Sequence, residues 1–407
     1  MEHFEFDPAT IANPYPAYAR LRAEDGLVRH RTDGYYVVSR YRDVREAAMR
    51  PDDFSSAIMS AMFKSVPLLS MLPRSLFKSS EVLAVADPPN HTMHRKLMQR
   101  HFTKSPVAEV SERTLPNIEL KLERFLAGGG GDFASEIAST VPVEMTLELL
   151  GFPIADAPYL KRVVDGTVEL LAGQFPSERR IDAFSSGARL FLYSRKRMRA
   201  LLKDPEKAAP VCRAMIDAVK DKALEAALLP GLVAQLIAAG IDSTGSLLGN
   251  SLRILAESPE LAKELRDDTS LVPAFIEECL RLETPFQSHF RVVRRQTELA
   301  GTKLEPGQRL MLLWGAANRD PEAFDRPDDL ILDRKRSAGS HVAFGYGYHL
   351  CLGAELARVT ARTVVTRILE RTTSIGLTDA KPVVRRSPYL RTHTSLPLSV
   401  TAAQQPP

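Results

Sequence analysis

The chain has 407 residues, 44% hydrophobic and 26% charged, so it can bury a large core and has the composition of a soluble globular protein. Its formal net charge is +4, but no basic run is interleaved with aromatic residues, which argues against nucleic-acid binding. Cys212, Cys279 and Cys351 are too few and too scattered for a disulfide framework or a four-cysteine zinc site. They fit a reducing cytoplasm, and the acidic N-terminus "MEHFEFDPAT" resembles neither a signal peptide nor a membrane anchor.

The first hundred residues mix short strands with helices. "GLVRHR" and "YYVVS" predict two strands joined by a turn at Asp33-Gly34, and residues 41–49 predict a helix. Residues 55–86 are apolar, contain methionines and show no clear period, so they predict an irregular segment. The stretch "DPPNHTMHRKLMQRHF" predicts a helix after the Pro-Pro pair, because its apolar residues recur every three to four positions.

The middle of the chain, residues 107–270, is predicted to be almost entirely helical. Its glycine run "AGGGGD" (127–132) predicts a loop between helices, because helical periodicity resumes on both sides. "VPAFIEECLRLE" predicts another helix, followed by strands around 297–314, a loop rich in Pro, Asp and Arg, and a helix from about 352. The terminal "QQPP" is predicted to be disordered. Residues 1–407 are thus predicted to form a single domain, mainly α with small β-sheets.

The stretch "AFGYGYHLCLG" combines glycines with a cysteine just before a predicted helix. Gly345, Gly347 and Gly353 let the backbone turn sharply and approach a flat partner closely. Cys351 would lie at the positive end of the helix dipole, which favours the thiolate. On these grounds alone, Cys351 is a nucleophile, a redox thiol, a metal ligand or a small buried side chain.

The wider stretch "HVAFGYGYHLCLGAELAR" resembles the heme-binding signature of the cytochrome P450 family, a Phe followed by Gly-x-Gly-x-His-x-Cys-x-Gly. The resemblance implies the cytochrome P450 fold, with heme b (iron protoporphyrin IX) between a distal central helix and the proximal cysteine-loop helix. It implies that Cys351 is the thiolate ligand of the heme iron, which favours O–O cleavage. Phe344, Gly345 and Gly353 would help to hold the cofactor around that ligand.

A second stretch, "DPPNHTMHRK", resembles the His-Thr-x-x-x-Arg helix of the same family. His91 and Arg95 are four residues apart and share one helix face. The resemblance implies that both bind heme propionates, and Arg291 and His341 match two further propionate-contacting positions. Charge-assisted donors suit carboxylates, although each of these residues could instead be a surface cation.

The helix "EECLR" carries Glu278 and Arg281 three residues apart, where they can form an ion pair. On a solvated face such a pair would contribute little. Its place ahead of the cysteine loop resembles the structural Glu-x-x-Arg of the family. Asp329 stands where the family has a third arginine, and Arg319 or Arg334 is the candidate substitute.

The stretch "LIAAGIDSTGSLLGN" predicts an apolar helix with polar residues in its middle. Asp and Ser are unfavourable there, because their side chains compete for backbone hydrogen bonds. It resembles the family's Ala/Gly-Gly-x-Asp/Glu-Thr sequence on the oxygen-binding side of the heme. The resemblance implies that Asp242 passes protons inward and that Ser243, in place of the usual Thr, or Thr244 supplies a hydroxyl near the site of O2 reduction.

The resemblance therefore implies a heme-thiolate monooxygenase that inserts one atom of O2 into a mostly apolar small molecule. Gln287 and His289 are the predicted polar anchors of its pocket, and Arg391 is predicted to be structural. The predicted pocket residues are Met62, Phe63, Leu170, Leu171, Ala238, Ala239, Phe286, Gln287, His289, Tyr389 and Leu390.

Electrons are expected from a separate ferredoxin-type donor, because no flavin or iron–sulfur sequence follows the cysteine. A basic stretch is the predicted docking face, although it could simply be solvated; its cations are Arg95, Lys96, Arg100 and Lys104. We expect a cytoplasmic monomer with no membrane anchor and no nucleic-acid partner.

Three alternatives stay open at this point. A peroxide-driven heme oxygenase of the same fold, or a non-catalytic heme-binding or gas-sensing protein, would not need the Asp242–Ser243 pair. A zinc protein using His341, His349 and Cys351 would explain none of the other motifs.

Overall fold

Helices dominate the structure, a computed structural model that describes residues 3–59, 81–167, 180–334 and 340–403. The predicted irregular segment lies mostly outside these ranges. So do the terminal "QQPP" and four predicted pocket residues, Met62, Phe63, Leu170 and Leu171. The mainly α fold class with small β-sheets is confirmed.

The α-helices confirm the predicted segments at 41–49, after the Pro-Pro pair, through the middle of the chain and after the cysteine loop. They are α1 (Pro8–Ala12), α2 (Tyr15–Ala23), α3 (Tyr41–Ala48), α4 (Asn90–Met98), α5 (Lys104–Ala127), α6 (Val141–Leu150), α7 (Ala157–Val164), α8 (Arg180–Lys203), α9 (Pro210–Lys220), α10 (Leu229–Glu257), α11 (Pro259–Asp267), α12 (Val272–Leu282), α13 (Trp314–Ala317) and α14 (Ala354–Arg371).

The strands are short. They are β1 (His3–Phe4), β2 (Val28–His30), β3 (Tyr36–Val38), β4 (Phe54–Ser55), β5 (Gly130–Asp132), β6 (His289–Val293), β7 (Thr297–Leu299), β8 (Thr302–Leu304), β9 (Arg309–Leu312), β10 (Thr372–Leu377), β11 (Val383–Val384), β12 (His393–Ser395) and β13 (Pro397–Ala402).

The central helix α10 runs 29 residues through the helical core. Pro230 stands in its first turn, where the missing N–H costs nothing, and Pro259 follows its end. It packs against α6, α8, α12 and α14. Because these neighbours surround it, its apolar residues are buried on several faces, and the polar residues in its middle stand out.

The same helix region, Ala226–Glu257, is long and apolar enough to cross a membrane by length and composition alone, the one such helix among the described residues. Half of its most apolar window is buried inside the protein, as is typical of a core helix.

A six-stranded sheet in the order β1-β2-β3-β9-β6-β4 forms the second part of the fold. The predicted hairpin is confirmed, since β2 and β3 pair antiparallel and Gly34 takes a left-handed φ of 68° in the turn. Neighbouring residues of β3 face opposite sides: Val37 joins one apolar cluster and Val38 another. Both faces of the sheet are therefore buried at its centre.

The glycine run 127–132 is not only a loop, as predicted, because Gly130–Asp132 form β5 and pair with β13. Gly130 has a φ of 115°, and a Cβ there would come within 2.1 Å of the Leu398 carbonyl oxygen. Glycine is therefore required for the close approach of two strands.

Candidate active site

A cavity lies between α10 and the loop that carries Cys351. Its volume, counted as the space open to the centre of a water molecule, is about 220 Å³. The side that α10 contributes follows one helix face, with residues recurring at i, i+3 and i+4. These residues are Gln235, Leu236, Ala239, Gly240, Ser243, Thr244 and Leu247.

The cysteine loop turns sharply at two glycines. Gly345 and Gly347 have φ values of 73° and 69°, which other residues rarely adopt. The backbone N–H of Cys351 donates to the Phe344 carbonyl at 2.8 Å and closes the loop. The Arg95 guanidinium of α4 donates to the Leu350 carbonyl at 2.6 Å, so the residue before the cysteine is tied to a second element.

Cys351 opens onto the cavity, although protein surrounds it on the other sides. Burial raises the pKa of its thiol, while the backbone N–H of Gly353 and the charges of Arg95 and Arg358 lower it. The net direction is upward. The predicted position before α14 therefore does not by itself create a thiolate, and a bound metal cation would complete its stabilisation.

Basic side chains gather on one part of the cavity wall: His91, Arg95, Arg291 and His349. The described lining contains no Asp or Glu. Within the part of the chain that the structure describes, Nδ1 of His91 and Nε2 of His349 are buried without a hydrogen-bond partner, and the centres of the two rings lie 4.2 Å apart. Burial and neighbouring cations lower the pKa of His91 to about 4 and that of His349 to about 2. Such a cluster would fit the two carboxylates of a heme, and Cys351 would supply a thiolate ligand to its iron.

The structure contradicts the predicted position of His341, which is absent from the described cavity lining. Its Nε2 pairs with Glu277 at 3.2 Å, and its Nδ1 accepts the Ala343 N–H. Glu277 also holds Arg358 with two bonds, at 2.7 and 2.8 Å. His349 lines the cavity instead. The signal that could have identified it is the His two residues before the cysteine in the glycine-rich pattern.

The predicted proton-handling residues divide into two groups. Ser243 and Thr244 both line the cavity, whereas Asp242 lies on α10 outside the described lining. The Ser243 hydroxyl donates to the Ala239 carbonyl at 2.7 Å. The Thr244 hydroxyl makes no hydrogen bond with the residues that the structure describes. The site thus presents two hydroxyls on one helix face, and only that of Ser243 has a hydrogen-bond partner among the described residues.

The comparisons with known proteins agree with this site. A sequence profile of the family Cytochrome P450 matches residues 194–382. Cytochrome P450 144 of Mycobacterium tuberculosis is 34% identical over 378 residues, covering 92% of this chain and 86% of that protein. The chain belongs to the cytochrome P450 family.

Two further similarities extend over nearly the whole P450 chain. Vitamin D(3) 25-hydroxylase of Pseudonocardia autotrophica is 29% identical over 409 residues, covering 98% of this chain and 96% of that protein. The crystal structure of CalO2 matches with a TM-score of 0.88 at 25% identity, covering 98% and 99% of the two chains. The chain is a heme-dependent monooxygenase of the P450 fold.

Among the predicted pocket residues of this P450, Ala239, Phe286 and His289 line the cavity. Nδ1 of His289 accepts a hydrogen bond from the indole N–H of Trp314 at 2.9 Å, so this nitrogen of the ring bears no proton. Burial, with a smaller effect from Arg291, lowers the pKa of His289 to about 3. His289 is therefore a neutral side chain beside the basic cluster.

Gln287 is not the polar anchor that we predicted. It is buried; its amide oxygen accepts from the Tyr18 hydroxyl at 2.8 Å, and its amide nitrogen donates to the Thr284 carbonyl at 2.5 Å. Ala238, Tyr389 and Leu390 are also buried and absent from the described lining. Tyr389 and Leu390 make backbone contacts instead. The Tyr389 carbonyl accepts a hydrogen bond from the Gln287 N–H, and Leu390 forms an isolated antiparallel β-bridge with Phe286.

Several lining residues of the P450 were missed from the sequence: Thr146, Leu149, Gln235 and Trp314. Only Gln235 carried a readable signal. It stands two helical turns before Ser243, on the same face, at positions i and i+8.

The Glu-x-x-Arg pair is buried rather than solvated. Arg281 holds Glu278 through two bonds of 2.8 Å each, and both side chains are nearly inaccessible. Arg334 adds contacts of 3.0 and 3.1 Å to the same carboxylate. Arg319 instead pairs with Asp328 and the Leu282 carbonyl. Arg334 is therefore the third arginine that the sequence left open.

Arg391 has the structural surroundings that we predicted. It contacts Glu283 at 3.2 Å and the Ala12 carbonyl at 2.9 Å, and its guanidinium lies 5.7 Å from the centre of the Tyr15 ring. These contacts join the N-terminal helices to the C-terminal part of the chain.

Proposed function

We propose that this P450 binds heme b through Cys351 and oxidises a mostly apolar small molecule with electrons from a separate ferredoxin-type protein. The observation that carries the proposal is one cavity in which Cys351, a cluster of basic groups and the hydroxyls of α10 meet. Each of these features has a use in the chemistry of a heme-thiolate monooxygenase.

The residues that would hold the heme are distributed over three elements. Cys351 ligates the iron, and Phe344, Gly345 and Gly353 shape the loop around it. The basic cluster of His91, Arg95, Arg291 and His349 would bind the propionates, whose oxygens can accept hydrogen bonds from the ring nitrogens that have no partner among the described residues. The bound heme supplies the binding and two-electron reduction of O2 and the insertion of one oxygen atom into a substrate C–H or C=C bond.

The protein's own part is positioning and proton supply. Because the Ser243 hydroxyl already donates its hydrogen to Ala239, its oxygen lone pairs are free to accept a proton or a hydrogen bond from the cavity. The Thr244 hydroxyl can both donate and accept. We assign to Ser243 and Thr244 the hydrogen bonds made at the site of O2 reduction. We assign to Asp242, the adjacent residue of α10, the supply of protons to these hydroxyls.

The substrate side is largely apolar. Lining residues such as Leu83, Leu149, Leu236 and Phe286 offer hydrocarbon surface, and each side chain buried against a ligand contributes about 1.5–3 kcal/mol before ordering costs. The relative named vitamin D(3) 25-hydroxylase supports an apolar substrate of medium size, such as a terpenoid, steroid-like or aromatic compound.

The proposed electron donor is acidic, because exposed cations lie on and after α4. Lys96, Arg100 and Lys104 are exposed, while Arg95 is half-buried and engaged with the loop. We propose docking on the exposed cations, with Arg95 coupling that surface to the cysteine loop. The proposed state is a cytoplasmic monomer.

A test combines three assays on the holoenzyme. Apolar, zwitterionic and highly charged compounds are titrated while the heme spin state is followed, and apolar compounds are expected to give the shift. Turnover is then compared with ferredoxin, ferredoxin reductase and O2, or with peroxide alone. Product formed only with peroxide would replace the proposal with a peroxide-driven oxygenase, and spectral shifts with charged compounds alone would refute the apolar pocket.

A further inference from the structure

The side-chain amide of Gln235, in the cavity wall, has its oxygen already engaged in a hydrogen bond. The backbone N–H of Ala84 donates to Oε1 of Gln235 at 3.0 Å. A backbone N–H can only donate, so this bond fixes which end of the Gln235 amide is oxygen. Nε2 makes no hydrogen bond with the residues that the structure describes, and it is not sealed within the protein. Gln235 lines the cavity, and its Nε2 is the end of the amide that remains available to donate a hydrogen bond.

The partner of Gln235 is itself held in place. Ala84 follows Leu83, a non-glycine residue with a φ of 39°. The backbone N–H of Leu83 donates to Nδ1 of the buried His94 at 3.3 Å. The turn is thus fixed by α4 on one side and by α10 on the other. A donor whose orientation is set by such a turn loses little freedom when it binds a ligand.

Among the other polar groups on the cavity wall away from the basic cluster, Thr146 and Ser243 already have partners, whereas Thr244 lies at the proposed site of oxidation. The Thr146 hydroxyl donates to the Pro142 carbonyl at 2.8 Å, and the Ser243 hydroxyl donates to Ala239. His289 lies beside the cluster, where Arg291 influences its pKa. Gln235 is the N–H donor on the wall of α10, two turns from the proposed site of oxidation.

The distance between Gln235 and Ser243 along α10 sets the length of a ligand that contacts both residues. Gln235 and Ser243 are eight residues apart on one face, which corresponds to about 12 Å at the helical rise of about 1.5 Å per residue. A ligand that reaches both is elongated, with a hydrogen-bond acceptor at one end and the carbon to be oxidised near the other.

We infer that Gln235 is a specificity-determining residue that donates a hydrogen bond from its side-chain amide to a carbonyl or similar oxygen of an elongated, otherwise apolar substrate. This inference rests on the proposed function and narrows its substrate class. The oxygen acceptor lies at the end of the molecule remote from the oxidised carbon.

The test uses two matched probes, 5α-androstan-3-one and 5α-androstane, which differ by the ketone oxygen. Each is titrated into the holoenzyme while the heme spin state is followed. The wild-type protein is expected to bind the ketone about threefold to tenfold more tightly, the range of one net hydrogen bond. Gln235→Glu keeps an oxygen to accept the Ala84 N–H but loses the amide donor, and Gln235→Met loses both.

Both variants are expected to lose the preference for the ketone and to keep their affinity for the hydrocarbon within about twofold. Gln296→Met is the matched control, because Gln296 is exposed and pairs with Glu305, and it is expected to keep the wild-type preference. The spectrum of the reduced carbon monoxide complex checks that each variant binds heme. If Gln235→Met does not bind heme, the result of Gln235→Glu alone tests the inference.

A ketone preference that survives in the Gln235 variants overturns the inference. So does equal binding of both probes by the wild-type protein, an outcome that leaves the apolar pocket standing. Spectral shifts with charged compounds but with neither probe overturn the proposed substrate class itself.

Discussion

Replacing Arg334 with methionine tests whether this residue completes the buried Glu-x-x-Arg network. Glu278 and Arg281 are 5% and 1% exposed, so the carboxylate depends on protein partners rather than on water. Arg281 and the Ile331 N–H would remain in the variant. The substitution removes the two contacts of Arg334 to Glu278 and its bonds to the Asp325, Arg326 and Asp329 carbonyls.

The expected loss follows from these contacts. A hydrogen bond to a charged group contributes about 1.5–3 kcal/mol, and Glu278 keeps its stronger partner, so we expect a loss of that size for Arg334→Met. With an unfolding entropy of about 2.1 cal/mol/K per residue over 407 residues, this lowers the Tm by about 2–4 °C. Arg281→Met leaves a buried carboxylate without its bidentate partner, and its expected cost of about 3–5 kcal/mol corresponds to about 4–6 °C.

Thermal unfolding of the holoprotein measures the series, and Arg326→Met is the control. Arg326 is 63% exposed, and its ion pairs are no closer than 3.9 Å, so its loss is expected to change the Tm by less than 1 °C. An Arg334 variant as stable as the Arg326 variant would refute the assignment of the third arginine.

The pH dependence gives an independent check. Burial raises the pKa of Glu278, but the bonds and charge of Arg281, with Arg334 and the Ile331 N–H, outweigh it and hold the pKa below the ordinary value of 4.5. A lowered pKa stabilises the fold above pH 4.5, and this stabilisation is lost as the pH falls. The Tm difference between wild type and Arg334→Met is therefore expected to narrow below pH 4.5, and a constant difference would contradict the ion-pair origin.

Cys351→Ala is expected to abolish the thiolate-type spectrum of the reduced carbon monoxide complex, while Cys279→Ala keeps it; persistence of that spectrum in the first variant would refute the ligand assignment. Ser243→Ala is expected to bind heme and substrate but divert electrons to peroxide, measured as product formed per electron consumed. If only Thr244→Val lowers the product formed per electron, Thr244 rather than Ser243 supplies the hydroxyl near the site of O2 reduction. Burial raises the pKa of Glu277, but bonds from Arg358 and His341 lower it to about 2. The ionised Glu277 therefore stabilises the fold fully above pH 4.5, and this stabilisation is lost as the pH falls toward 2. Glu277→Gln is therefore expected to lower the Tm at pH 7 and to resemble the wild type increasingly as the pH falls below 4.5.

Local chemistry made much of the fold predictable. The Asp33-Gly34 turn determines the β2–β3 hairpin within eleven residues, and apolar periodicity locates the helices. Strand β5 escaped prediction, because its partner Pro397–Ser399 lies more than 260 residues away. A glycine run has no side-chain pattern that could report such a partner.

In the candidate site, too, features set by residues close in sequence were predictable, and those set by distant partners were not. The glycines and Cys351 follow one another closely, so their pattern is readable in the sequence. The sequence could not show that Arg334 rather than Arg319 binds Glu278, or that His349 lines the cavity while His341 does not, because each depends on the distant carboxylate or cavity that the side chain meets after folding. Gln287 was misassigned for a similar reason, because its partner Tyr18 lies 269 residues away.

Helix α12 explains why the cysteine loop is held so firmly. Adjacent residues on a helix point about 100° apart, so Glu277 and Glu278 face different neighbours. Glu278 binds Arg281 and Arg334 and so fixes the chain that enters the loop region, whereas Glu277 binds His341 just before the loop and Arg358 just after it.

Arg358 also covers the Phe344 ring at 4.5 Å, so the Glu277 contacts reach the residue whose carbonyl accepts the Cys351 N–H. Glu277 therefore contacts both ends of the loop that carries Cys351, and its neighbour Glu278 holds the chain at Ile331 and Arg334 ahead of that loop. A thiolate ligand needs a position defined to a fraction of an ångström, and residues locked by such contacts provide it better than a loop alone. The two glutamates thus connect the stability of the core to the geometry of the cysteine.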